Sequence, residues 1–152
     1  MLLNLDDPPG RANRLAVRWA DRVLSSIDCD LRGARRIAPP LRAAAIAADG
    51  PATCRKRLGL DVDRSTLLVT GASQGATTLN ALVTELAATR ADAFDGWQVL
   101  HLAGPGLARG AQVAWDAVSI PCVAEEFLDD MGSAWGAATL AVTRGGANTV
   151  AE

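Results

Sequence analysis

LLVTGASQGATTLN, residues 67–80, is the stretch whose reading decides the fold of this chain. Apolar, β-prone residues run into Gly71 and Gly75, which bracket Ala72, Ser73 and Gln74, and a helical pattern begins at Ala76. That is a strand, a tight turn and the start of a helix. Backbone N–H groups at a helix start, together with the Ser73 hydroxyl, can hold a phosphate oxygen. A tight βα turn without a ligand would carry much the same residues. If a phosphate is held, it belongs either to a nicotinamide dinucleotide or to a nucleotide sugar.

Outward from this stretch, the pattern after Arg64 is a regular alternation. The sequence predicts strands over Thr66–Thr70, Trp97–Leu102, Ser119–Ala124 and Ala138–Thr143. Helices are predicted over Ala76–Ala88, with Leu79, Leu82, Val83 and Leu86 on one face, over Gly106–Val118 and over Asp129–Ala137. Strands that are apolar on both faces and separated by helices predict an α/β fold with a parallel, doubly wound, Rossmann-like sheet. Ligands of such sheets bind at the carboxyl ends of the strands, where Gly71–Gly75 and Gly145-Gly146 both fall. Before Arg64 the pattern is less regular. A helix is expected over Gly10–Ala20, with short strands at Asp21–Ser26 and Arg35–Ala38 that belong to no obvious sheet. An Ala-rich connector from Leu41 to Gly59 holds a short helix over Thr53–Leu58. The last helical pattern has barely one turn when the sequence stops at Glu152, so the chain reads as a piece of something longer.

Composition narrows the function classes. With 49% apolar and 21% charged residues the chain is an ordinary globular one, and no long uncharged apolar run predicts a membrane span. Acids and prolines in MLLNLDDPPG stand where a signal peptide needs basic and then apolar residues. Cys29, Cys54 and Cys122 are far apart and lack metal-site spacing, which suits reduced thiols in a cytosolic protein. Residues 1–64 carry twelve Lys/Arg against eight Asp/Glu, and residues 65–152 three against nine. The basic part is either a set of solvated helix faces or a surface for phosphates or an anionic membrane. Basic clusters with interleaved aromatics are absent, so no nucleic-acid partner is expected.

TGASQG is similar to the cofactor turn TGxxxGxG of short-chain dehydrogenases, but Thr77 stands in place of the third glycine. Those enzymes also use a Tyr-xxx-Lys pair, whereas this chain has no tyrosine and its one lysine, Lys56, precedes the turn. Several stretches together point elsewhere. GASQGATTLN, FLDDM (Phe127–Met131) and RGGANTVAE (Arg144–Glu152) resemble, in order and spacing, three segments of the MurG family. Members of that family are UDP-N-acetylglucosamine transferases that complete lipid II, with the patterns GGSQGA, F-[IL]-x-D-M and R-[SG]-G-A-x-T-x-x-E. Upstream, PPGRANR with ADRV resembles the family's PGxxNR…ADxV, and PPLR (Pro39–Arg42) its NPVR. The resemblance covers nearly the whole chain.

The resemblance implies a fragment of a two-domain GT-B glycosyltransferase. Residues 1–42 would end the acceptor-side N-terminal domain, 43–64 would be the connector, and 65–152 would be part of the donor-binding domain. It implies inverting transfer of N-acetylglucosamine from UDP-N-acetylglucosamine to lipid I, at the cytoplasmic face of the cell membrane, by a peripheral enzyme. Ser73 is placed on the donor's α-phosphate, in the turn formed by Gly71, Ala72, Gln74 and Gly75, and Arg42 near the same phosphate. Leu128 falls where a backbone group reads uracil. Ala147, Asn148, Thr149, Val150, Ala151 and Glu152 fall on the ribose-side loop, with Glu152 accepting both ribose hydroxyls. Asp129 and Asp130 suit helix capping better than metal ligation. No cofactor or metal is implied where a helix dipole and hydrogen-bond donors carry the diphosphate charge. His101, in HLAG, resembles the family's H-x-[ST]-G and is expected to make structural hydrogen bonds. The base is expected in an N-terminal Gly-rich loop outside this sequence, so the chain alone is expected not to catalyse. Departures from the family patterns are Ala72 for Gly, Pro39 for Asn, and Leu3–Asp6 where the family has HEQN. Another GT-B sugar-nucleotide transferase, or a non-catalytic nucleotide-binding remnant, remains open at this point.

Overall fold

A computed structural model describes residues 1–71 and 77–152, the side chains of residues 147 and 148 excepted. The chain divides into two compact units, Met1–Leu41 with Ala151, and Arg42–Val150 with Glu152.

In the first unit, β1 (Leu2–Asn4), β2 (Val23–Ser25) and β3 (Ala34–Arg36) form a parallel sheet in the order β1-β2-β3. The two short strands expected near residues 21 and 35 therefore do have a sheet. What the sequence reading lacked was β1, three residues long and too short to show a period. The helix α1 (Arg11–Ala16) continues as a 3₁₀ turn, Val17–Trp19. Asn4, fully buried, ties the unit together. Its amide donates to Ser25 Oγ at 3.1 Å and its carbonyl accepts from Asn13 Nδ2 at 2.8 Å. A buried amide is tolerated only with such partners.

The second unit holds α2 (Pro51–Arg57), β4 (Ser65–Thr70), α3 (Thr77–Thr89), β5 (Trp97–Leu102), α4 (Ala108–Asp116), β6 (Cys122–Glu125), α5 (Met131–Ala137), β7 (Leu140–Thr143) and α6 (Ala147–Ala151). The sheet is parallel throughout, in the order β6-β5-β4-β7. The α/β, Rossmann-like expectation is what the structure shows. Side chains alternate across β4 and β5. Leu67, Val69 and Val99 pack with Val83, Ala87 and Trp115 of α3 and α4, whereas Leu68, Leu100 and Leu102 pack with Cys54, Met131, Ala134 and Ala137 of α2 and α5. Helices thus cover both faces. The chain moves outward from β4 to β5 to β6, then returns past β4 to β7. That reversal beside β4 is a switch point, and it opens a crevice at the carboxyl ends of β4 and β7.

One expectation for α3 is corrected. Leu82 and Leu86 are 61% and 48% exposed, and the buried positions are Val83 and Ala87. The helix seats on the sheet through smaller residues, so the leucine stripe overstated the inward face.

The helix α5 approaches its neighbours closely because it carries Gly132 and Gly136. A Cβ on Gly132 would lie 2.5 Å from the Ile46 carbonyl oxygen, and one on Gly136 would lie 2.6 Å from Cys54 Sγ. Arg55 of α2 then clamps the end of α5, donating to the Ala137 carbonyl at 3.0 Å and to Thr139 Oγ1 at 3.1 Å. Gly132→Ala is expected to destabilise the second unit by about 1–3 kcal/mol, because a backbone carbonyl cannot swing away from the new methyl as a flexible side chain would. Gly110→Ala on α4, where a Cβ meets nothing within 4 Å, is expected to be neutral or stabilising. Denaturant midpoints of the two variants check this, and equal midpoints would refute it.

Candidate functional site

A cavity of about 380 Å³ opens at the switch-point crevice, within the size range of small-ligand pockets. Its floor is the carboxyl ends of β4 and β5, represented by Thr70 and Leu102. One wall is Glu126, Phe127 and Leu128, which follow β6, and α5 contributes Met131 and Trp135. Arg42, Thr149 and Glu152 close the remaining side.

Local sequence explains this wall. Asp130 caps α5, its Oδ1 accepting from the Ser133 backbone N–H at 3.0 Å. The capping bonds from Ser133, with Arg57 nearby, hold the Asp130 carboxyl below the usual carboxylate range. The helix therefore starts at Met131, and positions 131 and 135, one turn apart, share the face toward the cavity. Gly145 leaves β7 with φ +66°, a conformation that suits glycine, and its N–H donates to Thr143 Oγ1 at 3.0 Å. That turn delivers α6 and Glu152 to the cavity. The Glu152 side chain is 11% exposed and has two partners: Arg42 Nη2 lies 3.5 Å from Oε1, and Trp135 Nε1 donates to Oε2 at 3.3 Å.

Of the residues singled out in the sequence, Arg42, Leu128, Thr149 and Glu152 line this one cavity. Leu128 is partly buried and also packs against the core, so both of its readings hold in part. Residues 147–151 form the short helix α6, as the last helical pattern of the sequence predicts, although the resemblance implied a loop there, and Val150 is 75% exposed. Gly71 is buried directly after β4. Ala72, Ser73, Gln74 and Gly75 lie outside the described residues. Sequence reasoning missed Trp135, although its spacing from Met131 on a helix just after FLDDM offered the signal.

His101 is enclosed on the opposite face of β5 from Leu102 and does not line the cavity. Trp115 Nε1 donates to its Nδ1 at 3.0 Å, so the ring proton sits on Nε2, which faces Asn80 Oδ1 at 3.0 Å. Asn80 in turn donates to the Ala103 carbonyl at 2.8 Å. Burial pushes the imidazole pKa down to about 4. It is a neutral structural side chain.

Residues 66–152 match the glycosyltransferase family 28 C-terminal domain. The chain belongs to this family. Among curated proteins, it is similar to the UDP-N-acetylglucosamine–N-acetylmuramyl-(pentapeptide) pyrophosphoryl-undecaprenol N-acetylglucosamine transferases of three bacteria. Identity is 43% to that of a Nocardioides species (95% of this chain, 40% of the relative) and 41% to that of Cutibacterium acnes (95% and 41%). It is 44% to that of Mycobacterium ulcerans (94% and 37%). The chain therefore spans about two fifths of the length of the curated relatives it matches. These are the names that the MurG resemblance implied. The dehydrogenase alternative is not favoured by a family 28 match. The matched segment begins at Thr66, in β4, and contains the parallel sheet of the second unit but for Ser65, with all of the cavity wall except Arg42.

Proposed function

We propose that the second unit binds the UDP part of UDP-N-acetylglucosamine in the switch-point cavity, and that the protein it belongs to transfers N-acetylglucosamine to lipid I with inversion. The observation that carries this reading is the meeting of Arg42 and Glu152 in one cavity at the carboxyl ends of β4 and β5. A carboxylate is a bidentate acceptor for the vicinal ribose hydroxyls, and a guanidinium is a bidentate donor for a phosphate. Leu128 borders the space left for uracil, and Thr149 stands beside Glu152 on the ribose side. The α-phosphate would sit at the turn of Gly71, Ala72, Ser73, Gln74 and Gly75 before α3, where the helix dipole favours the negative charge of departing UDP. In the reaction, a base deprotonates the C4 hydroxyl of the muramyl sugar, which attacks the anomeric carbon as the bond to UDP breaks.

In this reading residues 1–42 close the acceptor-side domain, 43–64 lead across, and 65–152 belong to the donor domain. The membrane-facing role falls to the acceptor side. Support comes from the exposed Arg18, Arg22, Arg32 and Arg35 around one depression at the amino ends of β2 and β3. Among the described residues no helix is long and apolar enough to cross a membrane, in keeping with peripheral association.

Ligand-observed NMR of the chain with UDP-N-acetylglucosamine and NADPH in one tube tests the reading. Saturation transfer to the uridine protons is expected, with affinity falling by about tenfold or more in Glu152→Ala, as loss of hydrogen bonds to a charged group implies. Transfer to the adenine of NADPH alone, or to neither nucleotide, would overturn it.

A further inference from the structure

The two partners of the Glu152 carboxylate are held very differently. Arg42 is 64% exposed at its side chain, and its guanidinium stands 3.5 Å from Oε1, a geometry that gives little hold in water. Trp135 is partly buried on α5 and packs against the core formed by Leu68, Leu100 and Ala134. That helix is fixed in turn by Gly132 and Gly136 against residues 46–54 and by the Arg55 clamp on its last carbonyl. The indole N–H thus reaches Oε2 from a rigid support, and it points at an acid that is 11% exposed. Shelter from water strengthens a hydrogen bond to a carboxylate, although 3.3 Å is longer than the tightest charge-assisted bonds.

We infer that Trp135 is a positioning residue that holds Oε2 of Glu152, so that the remaining acceptor positions of this carboxylate face the cavity for a ribose diol. The inference rests on the reading of Glu152 as the ribose acceptor. The acceptor count fits. An ionised carboxylate offers about four lone-pair positions, the indole takes one, and two vicinal hydroxyls need two more. Indole nitrogen is a donor only, so it cannot compete with the ribose as an acceptor. The loosely held partner is the one a ligand displaces. A nucleoside diphosphate that takes Oε1 releases Arg42 toward its own phosphates, while the Trp135 bond stays in place. Selection of a ribonucleotide then depends on a residue that acts on the ribose through the acid.

The test compares UDP with 2′,3′-dideoxyuridine diphosphate by calorimetry on the full chain. Wild type is expected to prefer UDP by about tenfold or more. Trp135→Phe, which keeps an aromatic ring and removes the donor, should narrow that preference by about fivefold. Trp135→Phe added to Glu152→Ala should have no further effect. A purely structural role for Trp135 predicts equal weakening of both nucleotides, and that result, or an unchanged preference, would overturn the inference with the ribose reading intact. A wild-type chain that binds the two nucleotides equally, or binds neither, would overturn the ribose reading and this inference together. Independently of any nucleotide, the indole N–H resonance that Trp135→Phe removes should move upfield in Glu152→Ala. A resonance that does not move would also overturn the inference.

Discussion

Replacing Trp115 with alanine is expected to cost the second unit about 3–5 kcal/mol, the range for removing a large buried aromatic side chain. Trp115 has no exposed surface and meets Phe94 edge-on at 5.5 Å between ring centroids. It also fills the space between α4 and the strands that carry Val69 and Val99. Alanine would leave a cavity there, and it would strip His101 Nδ1 of its donor. Trp115→Phe separates the two effects. It keeps much of the ring volume but still leaves that nitrogen unpaired, at a cost of about 1–3 kcal/mol. Amide hydrogen exchange in β4 and β5 reads the second unit by itself, which matters in a chain of two units where one global transition is not assured. Protection in those strands that changes by less than tenfold in Trp115→Ala would refute the account.

The same histidine makes the second unit sensitive to acid. Unfolded, its imidazole takes a proton near 6.5, whereas in the fold burial lowers that value to about 4. Between these values the unfolded chain binds more protons than the folded one, so stability rises with pH across the window. The His101 contribution is therefore complete above pH 6.5 and drains as the pH falls to 4. One proton over this interval amounts to about 3 kcal/mol. Asp130, held low by Ser133 and Arg57, acts in a different window, because its contribution is lost only below its unfolded value of 3.8. Denaturation at pH 7, 5.5 and 4.5 should show the loss in wild type. In His101→Gln, whose amide can still accept from Trp115, the slope between pH 6.5 and 4 should be shallower. Equal slopes in the two chains would refute the assignment.

Much of the second unit was legible because its period is strong. The runs at β4 and β5 are buried almost throughout, and Gly145, with φ +66°, marks where β7 hands over to a helix. The carboxyl-edge position of the site followed from the same alternation. Other features depend on pairings that a linear pattern does not carry. The strand β1 exists because Leu2–Asn4 finds β2 and because Asn4 finds Ser25 and Asn13. The inward face of α3 is set by what fits the sheet, and small Ala87 fits where Leu86 does not. Trp135 was missed because only its one-turn spacing from Met131 hints at the site, and the partner it reaches lies across the fold. The acid cap at Asp130, by contrast, could be read directly, since an aspartate before a helix satisfies backbone donors wherever it occurs.

The segment between Leu41 and Gly59 has a practical consequence for handling this protein. Its Ala45 and Cys54, and Leu60 just after it, are almost completely buried against Leu68, Ala134 and Ala137. The family match starts only at residue 66. A polypeptide trimmed to that boundary would present the uncovered side of its sheet and α5 to water as a contiguous oily surface, a recipe for aggregation during expression. The smallest portion worth producing for nucleotide binding therefore begins ahead of Arg42, and recombinant boundaries taken from the matched segment alone should yield insoluble material.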